Sequence, residues 1–417
     1  MSHNNKARLL LISQPDSYRI APYLKAAREM GVEVMIASRG EFSLVSEVHD
    51  GLHIDLENRQ SAYEKIIKIA HKTPFNGILG CDDSTVELAA KVAHTLGLPH
   101  NPPAAARLTY RKDLARSRLA EADCSVPAHF LLNLDTAIEP QISALPWPCV
   151  IKPINMSASR GVIRANNAGE FKQACARIKR IIASSTSAFE QSHVLVEQYI
   201  DGIEVAYEGY LHQGKLTTLA LFDKPDPLVG PYFAETIYVT PSQLDGDTQA
   251  LIKKRVTEAA NAYGLITGPI HAELRIDQHD AWILEVACRS IGGDCARTLD
   301  NGRDFNLEQL IISLAMGSPI KSTLSKEARG VMMMPITEAG ILKRVEGLSA
   351  ARQVKNVEKV DIIIREGHEL IPLPEGNQYP GYVFAKGSTT QEVVTALRAA
   401  YARLKLVVAP VFNINPA

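Results

Sequence analysis

Apolar and polar positions along the chain fall into two periods, and their alternation predicts the architecture. Residues 7–13 (ARLLLIS) are a continuous apolar run and predict a buried strand. Residues 19–30 place apolar side chains at helical spacing and stop at Gly31, and 32–37 (VEVMIA) predict a second strand. A helix around 61–72, a strand at 76–80 and a helix from about 83 to 96 complete a β-α-β-α succession. Such a succession predicts a small parallel sheet with helices on its faces, whose strand ends hold a ligand. There is no GxGxxG after the first strand, which argues against dinucleotide binding.

The pattern changes after the proline-rich stretch at 98–103. A helix from about 111 to 122 precedes SVPAHF, then come PCVIKPI (148–154), a polar loop at 155–161 and a helix around 168–183. Residues 184–192 predict a loop. Runs at 193–200 and 203–213 predict two strands with Asp201-Gly202 as the turn between them, and 215–224 continues the sheet. A long helix at roughly 248–263 ends at Gly264, a hairpin follows at 270–288, and a helix lies around 306–316. Strand-rich sequence then runs to a final helix at 390–404. The expected units are an α/β domain (1–100), a linker with one helix (101–147), an α+β unit (148–215), a core (216–325) and a C-terminal α+β subdomain (326–417).

Bulk properties narrow the function classes. A net charge of −1 over 417 residues gives no electrostatic reason to expect nucleic acid or an anionic membrane. No apolar run reaches the roughly 20 residues that span a bilayer. The N-terminus has no long apolar core with a cleavage site, so a signal peptide is not expected. Six scattered cysteines without a CxxC pair fit reduced thiols in the cytoplasm. A homodimer is compatible with the neutral surface and the C-terminal strands.

Three stretches carry candidate chemistry. Lys152 ends a β-branched strand and is followed by Asn155-Met-Ser157-Ala-Ser159-Arg-Gly161-Val. Small residues there let backbone N–H groups approach phosphate, and two hydroxyls add donors, which points to a phosphate lid rather than a plain linker. In Glu197-Gln198-Tyr199-Ile200-Asp201-Gly202-Ile203-Glu204, extended backbone offers groups for an adenine edge, and Glu204 an acceptor for ribose hydroxyls; an ordinary hairpin with an exposed glutamate fits equally. In the hairpin His271-Ala-Glu273 … Glu285-Val-Ala-Cys-Arg289, twelve positions separate the two glutamates, so an antiparallel pair brings them to one face. Two carboxylates beside Arg289 and Gly292-Gly293 suit a hard cation and phosphate. His271 shares a face with Glu273 and is either a substrate contact or a structural histidine.

In this order the three stretches resemble the ATP-grasp superfamily across essentially the whole chain, with the segment from Thr109 to Phe130 matching the helix that carries the family's first lysine. The resemblance implies ATP with Mg²⁺ or Mn²⁺. It implies that Lys112 and Lys152 contact nucleotide phosphates, that the 155–162 loop covers them, that Glu197 and the Gln198–Ile200 backbone hold adenine, and that Glu204 holds ribose. Glu273 and Glu285 would bind the metal, and Arg289 would stabilise charge on the reacting carboxylate. Many members have Glu-x-Asn at the second metal position, and here Ala287 replaces the asparagine. The Glu285-x-x-x-Arg289 form is similar to the L-amino-acid ligase branch. It implies ADP-forming ligation of a small-molecule carboxylate to an amine through an acyl phosphate. The alternatives are a carboxylase-like or purine-pathway relative, or a nucleotide-binding protein without turnover. Pro231-Tyr-Phe-Ala-Glu235 is a candidate lining of the acceptor pocket.

Overall fold

The computed structural model describes residues 6–40, 51–142, 146–185, 187–299, 306–320 and 327–411. It is a mixed α/β and α+β molecule with an ATP-grasp-like division into a parallel N-terminal sheet, a small lid sheet and a large antiparallel sheet. The N-terminal sheet runs Gly51–His53, Glu33–Ser38, Arg8–Ile12, Gly77–Gly80, all parallel. Its first strand is leucine-rich because both faces are covered. Leu10 and Ile12 pack on Ile66, Ala89 and Val92 of two helices, Arg59–Lys72 and Val86–Leu96. Leu9 and Leu11 face Ile20, Tyr23 and the helix Leu307–Ala315, which fastens this unit to the rest of the chain. The strand Gly51–His53 and the short helices Pro103–Leu108 and Ala188–Ser192 go beyond the sequence reading, which left two of those stretches as a boundary and a loop.

The lid sheet has the order His129–Asn133, His193–Gln198, Cys149–Pro153, Ile163–Ala165. The helix Ala168–Ile182 closes one side with Phe171, Ala174, Ile178 and Ile182. Its start is written locally: Asn167 accepts from the Glu170 N–H, and the Glu170 carboxylate reaches back to the Asn166 N–H.

One expectation is overturned here. Residues 193–200 and 203–213 are not a hairpin: His193–Gln198 belongs to the lid, whereas Ile203–His212 sits between Gly268–Ile276 and Lys215–Asp223 in the large sheet. Asp201-Gly202 is the crossing between sheets. Gly202 has φ 138°, and a Cβ there would come within 2.1 Å of the Ile276 carbonyl oxygen, so close passage past the floor hairpin fixes the glycine. The lid thus ends near residue 200 rather than 215 and recruits a strand at 129–133 that sequence had placed in the linker.

The large sheet is antiparallel, in the order Ala281–Ala287, Gly268–Ile276, Ile203–His212, Lys215–Asp223, Ile237–Thr240, Ala328–Met333, Gly381–Gly387, Val357–Ile362. The helix Gly246–Tyr263 packs Ile252, Val256 and Ala259 against it, and is capped by Asp245 at its start and by Gly264 at its end. Three C-terminal strands therefore extend the core sheet rather than forming a sheet apart. The rest of the C-terminal segment makes a three-stranded sheet, Glu369–Leu370, Gly340–Glu346, Lys405–Ala409. Among the described residues no helix is long and apolar enough to cross a membrane.

Candidate active site

A cavity of about 980 Å³ opens between the N-terminal sheet, the lid and the large sheet. Every sequence-nominated site residue except Gly161 lines it: Lys112, Lys152, Ser157, Ser159, Glu197, Gln198, Tyr199, Ile200, Glu204, His271, Glu273, Glu285 and Arg289.

The floor is the hairpin. Glu273 pairs directly with Glu285, and a bulge follows between Glu273 and Leu274. The turn is held by Asp277, whose carboxylate accepts from the His279 and Asp280 N–H groups at 2.8 and 2.9 Å. Both glutamates already face lysines: Lys112 Nζ meets Glu285, and Lys224 Nζ lies 3.3 Å from Glu273. Glu204, Glu235 and Glu273 bring carboxylate oxygens within 4.8 Å of one another. Lys224 also bonds Glu204 and Glu235 at 2.7 Å each, and Tyr238 donates to Glu235 at 2.6 Å. Burial alone would push Glu273 up, yet Lys224 and His271 hold it well below the usual carboxylate range. Burial raises Glu235 despite Lys224, with Glu273 adding to the rise. Ala287 is fully buried opposite His271, so it supplies no ligand atom.

His271 is buried between two carboxylates. Nδ1 bonds Glu208 at 2.5 Å, and Nε2 lies 3.6 Å from Glu273. Burial would lower its pKa, but Glu208 and then Glu273 raise it to about 9. The ring is a charged support that orients Glu273.

The lysine end is equally well matched. Lys112 opens the helix Lys112–Glu121, and its N–H donates to the Ile154 carbonyl at 2.9 Å, tying the helix to the lid base. Lys152 Nζ contacts Glu197, whose other oxygen accepts from Arg116 Nε at 2.6 Å. Arg116 also donates to the carbonyls of Ile283 and Leu284, both at 2.7 Å. Burial would raise Glu197, but Arg116 and Lys152 hold it down to about 2. The Glu197 side chain thus anchors Lys152 instead of facing a base. The N–H groups of Gln198 and Tyr199 donate to the carbonyls of Ala128 and Pro148. Glu204 lies between Lys224 and Arg275, the latter at 2.9 Å, and Arg275 also donates to the Ile200 carbonyl at 2.9 Å.

The lid loop is built from left-handed residues. Ala158 and Ser159 both have φ 55°, and Gly161 has φ 72° with a Cβ position only 2.6 Å from the Pro153 ring. The Gly161 N–H donates to the Pro374 carbonyl at 2.8 Å, and Arg160 Nε to the Glu375 carbonyl at 3.0 Å. The Glu375 carboxylate receives both arms of Arg177, at 2.6 and 2.8 Å. The lid is therefore fastened to the C-terminal segment.

Arg289 is not a free cation. Nε and Nη2 bond the two oxygens of Asp83 at 2.6 and 2.9 Å, and Nη1 bonds the Ser290 carbonyl at 3.1 Å. Phe233 and Glu235 reach the cavity as the PYFAE stretch suggested, while Tyr232 is held by Arg177. Sequence reasoning missed Arg116, Lys224, Asp83, Asp82 and Arg19. Their partners are remote in sequence, and no spacing rule joins Arg289 to a residue 206 positions away.

A sequence profile for the ATP-grasp domain matches residues 145–298, and one for the ATP-grasp N-terminal domain matches 24–100. The chain belongs to the ATP-grasp superfamily. Within this ATP-grasp chain, residues 332–409 match L-amino acid ligase C-terminal domain 2. The crystal structure of L-amino acid ligase from Bacillus licheniformis superposes with a TM-score of 0.80 at 24% identity, covering 97% of this chain and 99% of that one. Carnosine synthase 1 of Gallus gallus is 26% identical over 78% of this chain, and alanine–anticapsin ligase of Bacillus subtilis is 22% identical over 61%. The chain spans 38% of the first relative's length and 57% of the second's.

Proposed function

We propose that this protein is an ADP-forming carboxylate–amine ligase that joins an amino acid to a second amino acid or amine. The observation that carries the reading is the in-register pair Glu273 and Glu285 facing Lys112 and Lys224, in a cavity whose far wall includes Asn377, Gln378, Tyr379 and Tyr382 from the segment that matches the L-amino acid ligase C-terminal domain.

Glu273 and Glu285 stand in register, and Glu204 and Glu235 bring carboxylate oxygens within 4.8 Å of that of Glu273, hard-oxygen donors of the kind that would hold Mg²⁺ or Mn²⁺. A metal bound there supplies charge neutralisation to the nucleotide phosphates. Lys112 and Lys152 exchange their present carboxylate partners for phosphate oxygens. The 155–161 loop, already bent by three left-handed residues, offers backbone N–H groups and the hydroxyls of Ser157 and Ser159. Glu204 accepts from ribose with the lone pairs that Lys224 and Arg275 leave.

A donor carboxylate oxygen attacks the γ-phosphorus of ATP, the bond to the β-phosphate oxygen breaks, and ADP departs. Arg289, locked by Asp83, keeps its remaining N–H groups directed at the carboxylate and the charge that develops on it, which is preorganised electrostatics. The amine lone pair then attacks the acyl carbon, the carbon–oxygen bond to phosphate breaks, and the amine nitrogen gives up its surplus proton to the departing inorganic phosphate. The fastened lid excludes water that would hydrolyse the acyl phosphate.

The test is a phosphate-release screen over paired amino acids and amines with ATP and Mg²⁺. Release that requires both partners is expected. Release stimulated by bicarbonate alone would move the chain to a carboxylase-like reaction. ATP binding with no release for any partner would make it a binding protein.

A further inference from the structure

The N-terminal wall of the cavity holds a guanidinium with too few partners. Arg19 immediately precedes the helix Ile20–Glu29, and its side chain is 13% exposed. Its Nε is buried with no hydrogen-bond partner among the described residues. Its polar contacts among the described residues are long: the Ile291 carbonyl 3.5 Å from Nη2 and the Asp82 carboxylate 3.7 Å from Nη1. Charge-assisted N–H···O bonds normally close to about 2.7–2.9 Å. The guanidinium also lies over the Tyr18 ring, 4.7 Å from its centroid, which steadies it without satisfying an N–H.

Asp82 is not a true counter-ion. Its oxygens accept from the Gln14 N–H at 2.9 Å and the Ser17 hydroxyl at 2.8 Å, and burial pushes its carboxyl up. The contrast with Arg289 is direct, since Asp83 fills two of that residue's donors in bidentate geometry. Nor is Arg19 crowded: a Cβ on Gly292 would still stand 3.6 Å from its Nη2. A buried N–H without an acceptor costs free energy, and an arginine fork is shaped for a carboxylate.

We propose that Arg19 binds the free α-carboxylate of the acceptor amino acid. This rests on the ligase reading above. In that reaction the donor's carboxylate is consumed at Arg289, and the nucleotide's phosphates belong to the lysines. The acceptor keeps a carboxylate that is not consumed, and it needs a cation elsewhere in the cavity. Arg19 is a specificity residue for that group and would favour acceptors that carry a carboxylate over simple amines.

The experiment compares the wild type, Arg19→Gln and Arg19→Lys by two readouts. Calorimetry measures binding of acceptor amino acids and of their C-terminal amides, with Mg²⁺, saturating donor acid and an ATP analogue whose γ-phosphate cannot transfer. Steady-state kinetics measures KM for acceptor, donor and ATP. The wild type is expected to favour the acid over the amide. Arg19→Gln should weaken the acceptor acid roughly 10- to 100-fold, leave ATP KM within about twofold and make acid and amide equivalent. Arg19→Lys should recover part of the preference. Far-UV circular dichroism and melting curves confirm that the variants fold. Wild-type affinity in Arg19→Gln overturns the proposal, as does a wild type that binds acid and amide alike or binds no amino acid. Carboxylate-selective binding that Arg19→Gln abolishes, without turnover for any pair, supports the Arg19 site while sinking the ligation reading.

Discussion

The two ends of one cavity handle charge in opposite ways. At the lysine end cations and carboxylates are matched: Lys152 and Arg116 hold Glu197, Lys112 holds Glu285, and Lys224 and Arg275 hold Glu204. At the N-terminal wall Asp83 satisfies Arg289, but Arg19 has only long contacts and an orphaned Nε. Matched pairs keep a site rigid and ready for a ligand that carries its own counter-ions. An unmatched cation is costly until a ligand arrives, and so marks where a substrate supplies the missing charge. In the proposed reaction the matched groups must exchange a protein partner for a ligand, whereas Arg19 gains a close partner when the ligand arrives.

The strongest challenge to this contrast is Glu285→Gln. The side chain is 25% exposed in the cavity, so the fold should persist, while turnover should fall at least ~10³-fold, or about 4 kcal/mol of barrier. Steady-state phosphate release measures it, and activity near wild type would remove Glu285 from the metal floor. Next in size is Glu197→Gln. It leaves Arg116 and Lys152 buried without their carboxylate, and urea denaturation should register a loss of roughly 3–5 kcal/mol.

Glu197 also predicts a pH dependence. Its folded pKa of about 2 lies below the ordinary value of 4.5, so its contribution is complete above about 4.5 and fades as pH falls toward 2. Glu197→Gln should flatten that acid limb. The alkaline side belongs to His271: its pKa of about 9 lies above 6.5, so its contribution is full below 6.5 and disappears as pH rises through 9. Stability of His271→Gln measured between pH 7 and 9.5 should slope less than that of the wild type. Equal slopes would place the alkaline loss elsewhere.

The smallest effects complete the comparison. Arg19→Gln should change stability by less than about 1 kcal/mol in either direction, because its contact with Asp82 is long and Asp82 keeps the Gln14 N–H and the Ser17 hydroxyl. A loss matching that of Glu197→Gln would erase the distinction between the two ends. Glu375→Ala breaks the half-exposed contact with Arg177 and should cost only about 0.2–1 kcal/mol by thermal melting.

Much of this was legible in the chain. The leucine run at the first strand, the helix around 168–183 and the twelve-residue spacing of Glu273 and Glu285 are local signals, and the structure follows each. The Asp201-Gly202 pair misled because a turn dipeptide reports a change of direction, and the same dipeptide serves a crossing between sheets. Lys152 was found by the loop that follows it and Lys112 by the family resemblance, but their partners were not. Arg116 reaches Glu197 across 81 positions and Lys112 reaches Glu285 across 173. Such pairs exist only once three sheets have closed on one cavity. Arg19 left no trace in the sequence for the same reason, since it stands out only by the partners it lacks.

The most direct test of the central claim uses amino acids carrying ¹⁸O in both carboxylate oxygens, incubated with enzyme, ATP and Mg²⁺, with mass spectrometry of phosphate and product. The account predicts one ¹⁸O transferred into each inorganic phosphate released, and a product equal in mass to the two partners less one labelled water. Phosphate that stays unlabelled while ATP is consumed would contradict it, because no carboxylate oxygen would then have bonded the γ-phosphorus.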